Sequence, residues 1–460
     1  MVVPTHIQNL LDLQNISYQV MAPIVDDGAG TQTESNDALV RSLILKDGLG
    51  KVLALYPGDC LLDLVALNQH LVRHLRLATP DDVQPVLEQH QLDGVPGLPT
   101  LLGLPTVVDK RLLEKPQLQL HSGNGELRLE VGQHDFQQII HDATICDFCV
   151  PLDTFEQPEA KDDYQQIFDS VRSFTSLRIK QRLEDTLELP PLPATAQRII
   201  ALRVDPNADI NDLACIVETD PSLAAQVVSW AASPYYSAPG KIKSIHDAIV
   251  RVLGFDMVLN LALGLALGKA LNMPKDGPYG VLPYWQQSVY TAAAVEGLVT
   301  AIPRDARPGF GIAYLAGLLH NFGYLVLAEV FPPYFELINR HIEVNPHVPA
   351  GVIEKHLIGI SRDQLASWLM ATWNMPEEVV IALRYQNSPN YSGDFAVYSK
   401  LLYTAQAKLR ERSVGIGPLR KISPQMYDEL RLDPQQADIT IDNIIDSADE
   451  LGIIAKQLAG

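Results

Sequence analysis

Two hydrophobic periods alternate along the first third of the chain. Ile7, Leu10 and Leu11 have the spacing of one helix face, whereas residues 17–20 predict a short strand. Apolar runs at 43–45 and 52–55 flank a polar stretch with Gly48 and Gly50, which predicts a hairpin whose turn glycines adopt positive φ. A helical pattern at 61–71, a capped helix start at 79–82 and a strand at 106–108 complete a mixed α/β pattern.

The pattern after residue 176 is helical almost throughout. Asp220 and Ser244 precede apolar periodic runs as N-caps, and Gly254 ends the second of these runs. Further helical patterns lie at 289–299, 315–330, 364–372, 377–383 and 439–458. Prolines and acidic residues follow Cys149 without a sustained period. We therefore predict a domain at 1–148, an acidic linker at 149–175, a helical domain at 176–400 and a helical C-terminal tail at 401–460 packed on it.

Composition and charge favour a folded multidomain protein and disfavour a nucleic-acid-binding or disulfide-rich one. The 460 residues are 47% hydrophobic and 20% charged, which is typical of a folded chain of two to four domains. Lys and Arg total 35 against 55 Asp and Glu, so the net charge of −20 disfavours non-specific nucleic-acid binding and a tRNA partner. Four cysteines are too few for a disulfide framework, and they favour a reducing cytoplasm.

The sequence favours neither export nor a membrane span. The first ten residues lack the basic and apolar regions of a signal peptide. The apolar stretch at 311–331 is long enough to cross a bilayer, but it contains His320, Asn321 and Glu329. We therefore expect this stretch to be a buried core helix.

Several short motifs in the helical half occur in the order of one known family. They are LPPLP at 189–193, DPSL at 220–223, WAAS at 230–233, SI and AI at 244–249, LG at 253–254, AGLLHNFG at 316–323 and WNMP at 373–376. Over about 177–387 the chain resembles the HDOD family, a regulatory offshoot of the metal-dependent HD phosphohydrolases. The resemblance implies an all-α domain that acts in signal transduction and is generally non-catalytic.

The metal ligands of the HD phosphohydrolases are largely replaced. The residues at the matching positions are Gln287 (or Gln286), His320, Asn321, Arg362, Tyr385 and Gln386. Asn321 is neutral at the position where a carboxylate would offset the charge of the metal ion. Arg362 is a permanent cation at the position where a histidine ligand is expected. A lone imidazole at His320 rarely retains a divalent ion, so we expect no metal, no cofactor and a core role for His320.

The first third resembles the YbaK/prolyl-tRNA-synthetase-associated domain over about 7–139, whose active members deacylate misacylated tRNA. The matching stretches are ALVRSL at 38–43, YPGD at 56–59, the segment 75–80, GVPGLP at 94–99 and VVD at 107–109. Where active members have a catalytic lysine, this chain has Arg41, whose pKa forbids ready proton exchange. The resemblance implies a YbaK-like mixed sheet with helices and a pocket at Arg41, Gly94, Gly97 and Pro99, without catalysis.

Two weaker signals have structural interpretations. Cys146 and Cys149 form a single Cys-x-x-Cys motif, and a zinc site, the alternative to packed thiols, would need His134 and His141 as well. The basic cluster Lys408, Arg410 and Arg412 is interpreted as a solvated face.

The sequence thus predicts a cytoplasmic regulatory protein of bacterial type, with an α+β N-terminal domain followed by an all-α HDOD domain. It would bind a protein partner and respond to a small anionic ligand, with Arg362 as the sharpest candidate for holding a phosphate. An aminoacyl-tRNA deacylase, a divergent metal phosphohydrolase and a ligand-free scaffold are the alternatives. The oligomeric state stays open.

Overall fold

The computed structural model describes residues 3–21, 38–125, 127–155, 162–174, 191–236, 240–278, 282–415 and 417–459. The chain divides into two compact units. The N-terminal unit comprises Met1–Glu156 together with Asn339–Val348, and the helical unit comprises Gln157–Ile338 with Pro349–Gly460. A ten-residue segment from the helical half of the sequence therefore belongs to the N-terminal unit.

The N-terminal unit is α+β. Its strands are β1 (Tyr18–Met21), β2 (Val40–Asp47), β3 (Gly50–Pro57), β4 (Cys60–Leu62), β5 (Arg76–Leu77), β6 (Thr106–Asp109), β7 (Gln117–His121), β8 (Arg128–Gly132), β9 (Thr144–Cys146) and β10 (Cys149–Pro151). Its helices are α1 (Thr5–Leu13), α2 (Leu64–Leu71), α3 (Pro80–Gln89), α4 (Pro99–Leu102) and α5 (Gln133–Ile139).

The strands found in the described part of this unit form three sheets. A five-stranded mixed sheet has the order β5-β2-β3-β6-β9, in which β3, β6 and β9 are parallel neighbours and β2 is antiparallel to β3. The other two sheets have the orders β1-β8-β7 and β10-β4. Alternate residues of the central strands enter two apolar clusters on opposite faces, because successive side chains of a strand point to opposite sides. Val344 of the added segment is fully buried in the second cluster.

The helical unit consists of helices over its described residues. They are α6 (Asp163–Phe174), α7 (Ala194–Arg203), α8 (Ile210–Glu218), α9 (Pro221–Ala231), α10 (Ile245–Ala248), α11 (Phe255–Gly268), α12 (Tyr284–Ala301), α13 (Phe310–Leu319), α14 (Phe322–Val330), α15 (Pro332–Val344, ending in the N-terminal unit), α16 (Ala350–Ile358), α17 (Arg362–Thr372), α18 (Glu377–Tyr385), α19 (Ala396–Glu411), α20 (Pro424–Leu430), α21 (Pro434–Asp446) and α22 (Ala448–Ala459).

The core of the helical unit lies around α11, α12 and α13. α13 packs against both α11 and α12, and α19, α21 and α22 pack against α12. Small residues permit the close approach of these helices: a side chain at Gly264 would meet Leu318, and one at Gly317 would meet the backbone of Ala292. The apolar stretch Phe310–Val330 is the one stretch within the described residues that is long and apolar enough to span a membrane. Its apolar window is 94% buried in the protein, as expected of a core element.

Local patterns identified many elements correctly. The hairpin β2–β3, the strand β6 and the N-caps at Asp220 and Ser244 are confirmed. Gly50 has a φ of 127°, but positive φ at Gly48 is wrong, because the Asp47 carboxylate instead accepts the Leu49 amide and turns the chain there.

The stretch predicted as a linker at 149–175 contains β10 and α6, while 156–161 and 175 lie outside the described residues. The helix α6 is hard to recognise because polar residues occupy part of its buried face. Asp163 binds Arg384, and the Ser170 hydroxyl donates to the carbonyl of Ile358. The first two residues of the LPPLP motif also lie outside the described residues.

Candidate functional site

Asn321 and Arg362, two positions where metal ligands are expected in HD phosphohydrolases, are hydrogen-bonded to each other. Asn321 occupies the N-cap position of α14, where its side chain makes no capping hydrogen bond. Arg362 is the first residue of α17 and lies inside the capping box formed by Ser361 and Gln364. Arg362 Nη1 donates to Asn321 Oδ1 at 3.0 Å. A neutral amide suits this position, because its oxygen accepts one bond without adding a charge.

Arg362 is held by a buried carboxylate. Its backbone N–H donates to Glu354 Oε2 at 2.7 Å, and its Nε donates to Glu354 Oε1. Its guanidinium also lies 5.0 Å from the ring centre of Tyr324. Burial raises the pKa of Glu354, and the charge of Arg362 opposes that shift. The third nitrogen, Nη2, is buried and has no hydrogen-bond partner among the described residues.

His320 is neutral near pH 7. Its Nδ1–H donates to the Gly317 carbonyl at 2.9 Å, so Nε2 is the acceptor that faces the Thr291 hydroxyl at 3.4 Å. Burial lowers the pKa of His320 to about 4, and the cations Arg410 and Arg362 lower it further. One ring nitrogen is therefore engaged by α13, which leaves Nε2 as the single metal-binding atom of this side chain.

Gln386 connects His320 to a second buried carboxylate. Gln386 Nε2 donates to the His320 carbonyl at 2.8 Å and to Asp363 Oδ1 at 3.0 Å. The other Asp363 oxygen accepts from Asn387. Gln406 Nε2 in turn donates to Gln386 Oε1 at 2.6 Å. Burial raises the pKa of Asp363, with the hydrogen bond from Asn387 opposing it.

Two arginines of this network were not found by sequence reasoning. Arg410 Nη2 donates to Gln406 Oε1 at 3.3 Å, and Arg420 Nη2 donates to Asn387 Oδ1. The Nη1 atom of each is buried without a partner among the described residues. Burial lowers the pKa of Arg410 to about 9, and the neighbouring charge of Arg420 lowers it further. The interpretation of Arg410 as part of a solvated face is therefore wrong.

The residues on either side of Arg410 in the basic cluster form ion pairs with acidic side chains. Lys408 pairs with Glu411 and Asp438, and Arg412 pairs with Asp438 and Asp442. Residues two apart on a helix point in different directions, so Lys408 and Arg412 reach carboxylates, whereas Arg410 Nη1 is buried without a partner among the described residues. The sequence contains no local signal that distinguishes Arg410 from its two ion-paired neighbours.

Two of the predicted site residues make contacts outside this network. Gln287 Nε2 donates to the Leu282 carbonyl at 2.5 Å. Tyr385 stacks on Tyr391 with ring centres 3.8 Å apart and planes 7° from parallel. The structure thus joins His320, Asn321, Arg362 and Gln386 in one network and engages Gln287 and Tyr385 in other contacts.

These residues do not fit a catalytic metal. Asn321 binds Arg362, Glu354 is engaged twice by Arg362, and both Asp363 oxygens accept amide hydrogens. A guanidinium cannot bind a cation. Across the described ranges, no group of three or more His, Cys, Asp or Glu side chains is arranged to hold a metal ion.

Arg41 of the N-terminal unit lies on β2, directly opposite Tyr56 on β3. Side chains of paired residues share one face of a sheet. The Tyr56 ring lies 5.9 Å from the ring of His347, whose Nε2–H donates to the Cys60 carbonyl at 2.9 Å. Arg41 Nε is buried without a partner in the described part of the chain, and burial lowers the pKa of Arg41.

The Gly-rich loop packs next to this strand. The hydroxyl of Ser42 donates to the Val95 carbonyl at 2.7 Å, which links the residue after Arg41 to the loop. Gly97 donates its amide to the His121 carbonyl at 2.8 Å, and a side chain at Gly94 would crowd the His121 ring. Pro99 begins α4. The loop residues therefore serve close packing against β7, with Arg41 on the neighbouring β2.

The Cys-x-x-Cys motif is part of the sheet structure. Cys149 is buried in the apolar cluster that includes Val344, and Asp109 accepts the Phe148 amide between the two cysteines. Burial raises the pKa of Cys146 to about 11. The proposed zinc partners are on the surface: His134 bonds Gln138 and His141 contacts Asp142.

Comparison with known proteins identifies both halves. The HDOD domain model matches residues 189–389, and the aminoacyl-tRNA editing domain model matches residues 23–139. The crystal structure of a Marinobacter aquaeolei VT8 protein, provisionally named a signal transduction protein, is 43% identical over 100% of both chains with a TM-score of 0.91.

Two further relatives cover part of the chain. An HDOD domain protein of unknown function from Geobacter sulfurreducens is 21% identical, covers 64% of this chain and 99% of its own, and has a TM-score of 0.49. An uncharacterised protein of Treponema pallidum (strain Nichols) is 23% identical over 260 residues, which are 56% of this chain and 48% of that relative. The chain therefore spans about half the length of the Treponema protein.

Proposed function

The chain belongs to the HDOD family and carries an N-terminal aminoacyl-tRNA editing domain, and on this premise we propose that it is a non-catalytic signal-transduction protein whose helical unit binds a small anion. The Marinobacter relative, which matches over its full length, is named for signal transduction. The anion is the input, and a regulatory protein partner in the cytoplasm receives the output. Neither a metal nor a cofactor takes part.

One observation carries the proposal. Arg362 is 8% exposed, and its Nη2 donor has no partner among the described residues. A buried donor without an acceptor costs about 1–3 kcal/mol, and more when it is charged. A phosphate or carboxylate oxygen is the acceptor that a guanidinium binds best, often through two parallel bonds. An anion at Nη2 would remove this cost and so be bound with specificity.

The side chains at both candidate sites support a role without catalysis. Hydrolysis of a phosphate ester by an HD-type site needs a metal-bound water, and the carboxylates here are engaged by Arg362, Gln386 and Asn387. In the N-terminal unit, arginine at position 41 keeps a positive charge but is a poor proton donor or acceptor. Both features support ligand recognition over bond cleavage.

Calorimetric titration of the full chain with inorganic phosphate in the presence of EDTA tests the proposal. We expect saturable binding that Arg362→Gln abolishes and that Arg304→Gln, a variant of an exposed arginine in the same unit, leaves unchanged. Binding that is indifferent to Arg362, or no binding at all, would overturn the anion site.

A second measurement addresses catalysis. Elemental analysis of the purified protein, followed by assays for phosphate-ester hydrolysis and for deacylation of misacylated tRNA, should find no stoichiometric metal and no turnover. Stoichiometric manganese or iron with hydrolysis that requires His320 would contradict the proposal. Deacylation that requires Arg41 would contradict it equally.

A further inference from the structure

Three arginines of the helical unit share one property. Arg362, Arg410 and Arg420 each have one guanidinium nitrogen that is buried and unpartnered within the described ranges. They come from three separate places: the first turn of α17, the last turn of α19, and the connection between α19 and α20. Arginine is the side chain most often used to bind phosphate, because its planar fork matches the phosphate oxygens.

Hydrogen bonds connect the three arginines through one network of polar side chains. From Arg410 the connection runs through Gln406 to Gln386, which donates to the backbone of His320 and to Asp363. From Asp363 it continues through Asn387 to Arg420.

Arg362 joins the same network at two points. It is adjacent to Asp363 in the chain, and it binds Asn321, the residue after His320. The positions of the arginines are thus fixed by polar side chains on either side of Asp363.

The charges in this network do not balance. Arg362 pairs with Glu354, and Arg384 pairs with Asp163. Among the described residues of the network, Asp363 is then the carboxylate that remains for both Arg410 and Arg420. The guanidinium of Arg420 lies 5.2 Å from the ring centre of Tyr403, which offsets little of a full charge. The site has a surplus of positive charge in a poorly solvated environment, and such a site attracts an anion strongly.

Arg410 and Arg420 lie outside the matched HDOD domain, which ends at residue 389. They belong to the stretch that the sequence predicts to be a C-terminal helical tail. That stretch therefore contributes directly to the network around Asn321.

We propose that Arg362, Arg410 and Arg420 together bind a ligand with two linked phosphate groups, a diphosphate. This inference rests on the proposed anion site at Arg362 and deepens it by assigning the ligand class. Arg362 binds one phosphate through Nη2, while Arg410 and Arg420 bind the other through their Nη1 atoms. One phosphate at Arg362 would leave the Arg410 and Arg420 donors buried and unpaired, whereas a diphosphate supplies acceptors for all three.

The test compares inorganic pyrophosphate with inorganic phosphate on the full chain, in EDTA, by calorimetric titration. We expect pyrophosphate to bind at least about tenfold more tightly than phosphate. Arg410→Gln and Arg420→Gln should each reduce this preference to about threefold or less while phosphate binding persists. Arg412→Gln is the matched control, because Arg412 lies on the same helix and pairs with Asp438 and Asp442. It should retain the full preference.

The outcomes separate the two proposals. Phosphate binding without a preference for pyrophosphate overturns the diphosphate site but retains the anion site at Arg362. No binding of either anion overturns both. Far-UV circular dichroism shows whether each variant is folded, and if one of the two glutamine variants does not fold, the other decides the result. A preference that survives the folded variant overturns the diphosphate site.

Discussion

The guanidinium of Arg362 donates to the side-chain oxygen of Asn321 at 3.0 Å, although 41 residues separate the two in the chain. The family resemblance assigns both positions to metal ligands, and here the two side chains are hydrogen-bonded to each other. Restoring one ligand would therefore not restore a metal site, since the cation would still be in place. The same contact positions Arg362 for an anion.

Glu354→Gln should destabilise the helical unit by about 3–5 kcal/mol, because it leaves the buried charge of Arg362 without its carboxylate. Urea unfolding followed by tryptophan fluorescence measures this, as the four tryptophans (Trp230, Trp285, Trp368 and Trp373) all belong to the helical unit. Millimolar phosphate should recover more stability in this variant than in the natural protein, since the anion replaces the lost charge. Glu218→Gln, at an exposed position, should change stability by no more than about 0.5 kcal/mol.

Gly323→Ala should disrupt the contact between α14 and α17. A methyl group on Gly323 would overlap the carbonyl oxygen of Arg362, and backbone atoms cannot rotate away. We expect a loss of more than about 2 kcal/mol in urea unfolding, together with weaker phosphate binding. Gly452→Ala is the opposite control: it lies in α22 with open space around it, and should be stabilising by about 0.5–1 kcal/mol. Equal effects from both substitutions would contradict the role of Gly323 as a close-approach residue.

Asn345→Ala should destabilise the N-terminal unit by about 2–4 kcal/mol. The Asn345 side chain accepts from the Leu62 amide at 2.8 Å and donates to the Leu62 carbonyl at 2.9 Å, so its loss leaves two buried backbone groups unpaired. Hydrogen exchange of the Leu62 amide should accelerate strongly. Asn207→Ala, at an exposed site, should leave that exchange rate unchanged. An unchanged rate in Asn345→Ala would show that the segment Asn339–Val348 is not required by β4.

His320 should make the helical unit less stable as the pH falls from about 6.5 to 4. Its pKa is about 4 in the folded protein, so the unfolded chain takes up a proton in this range and the folded one does not. This pKa shift changes the free energy of unfolding by about 1–3 kcal/mol, because solvent around the partly exposed His320 screens part of the effect. His320→Gln should flatten the slope of stability against pH, whereas His246→Gln, at an exposed site, should not.

Glu296 changes the stability of the helical unit with pH in the opposite direction to His320. Burial raises its pKa to about 7, so its ionisation costs stability as the pH rises from about 4.5 to 7. The difference between the natural protein and His320→Gln isolates the histidine, because Glu296 is present in both. A His320→Gln profile that is parallel to the natural one would show that His320 does not titrate as proposed.

Much of the fold can be predicted from the sequence because its signals act over a few residues. The Asp220 carboxylate accepts the Leu223 amide three residues later, and the hairpin between β2 and β3 closes around a single turn. The motifs around His320 and Asn321 identify the family for a similar reason, since each is a short contiguous string. Even the loss of the metal ligands can be inferred, because it depends on the identity of single residues.

The arginine site could not be predicted in this way, because it depends on contacts between residues that are distant in the chain. Arg410 resembles its neighbours Lys408 and Arg412 in the sequence, and only the packing of α19 buries it. Asp163 lies in a stretch that resembles a linker, yet it pairs with Arg384, 221 residues away.

The sequence by itself determined many of the helices and strands and the identity of both domains, because hydrophobic period, caps and turns depend on residues that are neighbours in the chain. Only the tertiary structure decided which charges are buried together and that Asn339–Val348 belongs to the N-terminal unit. The physical reason is that desolvation and pairing depend on what surrounds a side chain in space, and chain neighbours supply only part of that environment.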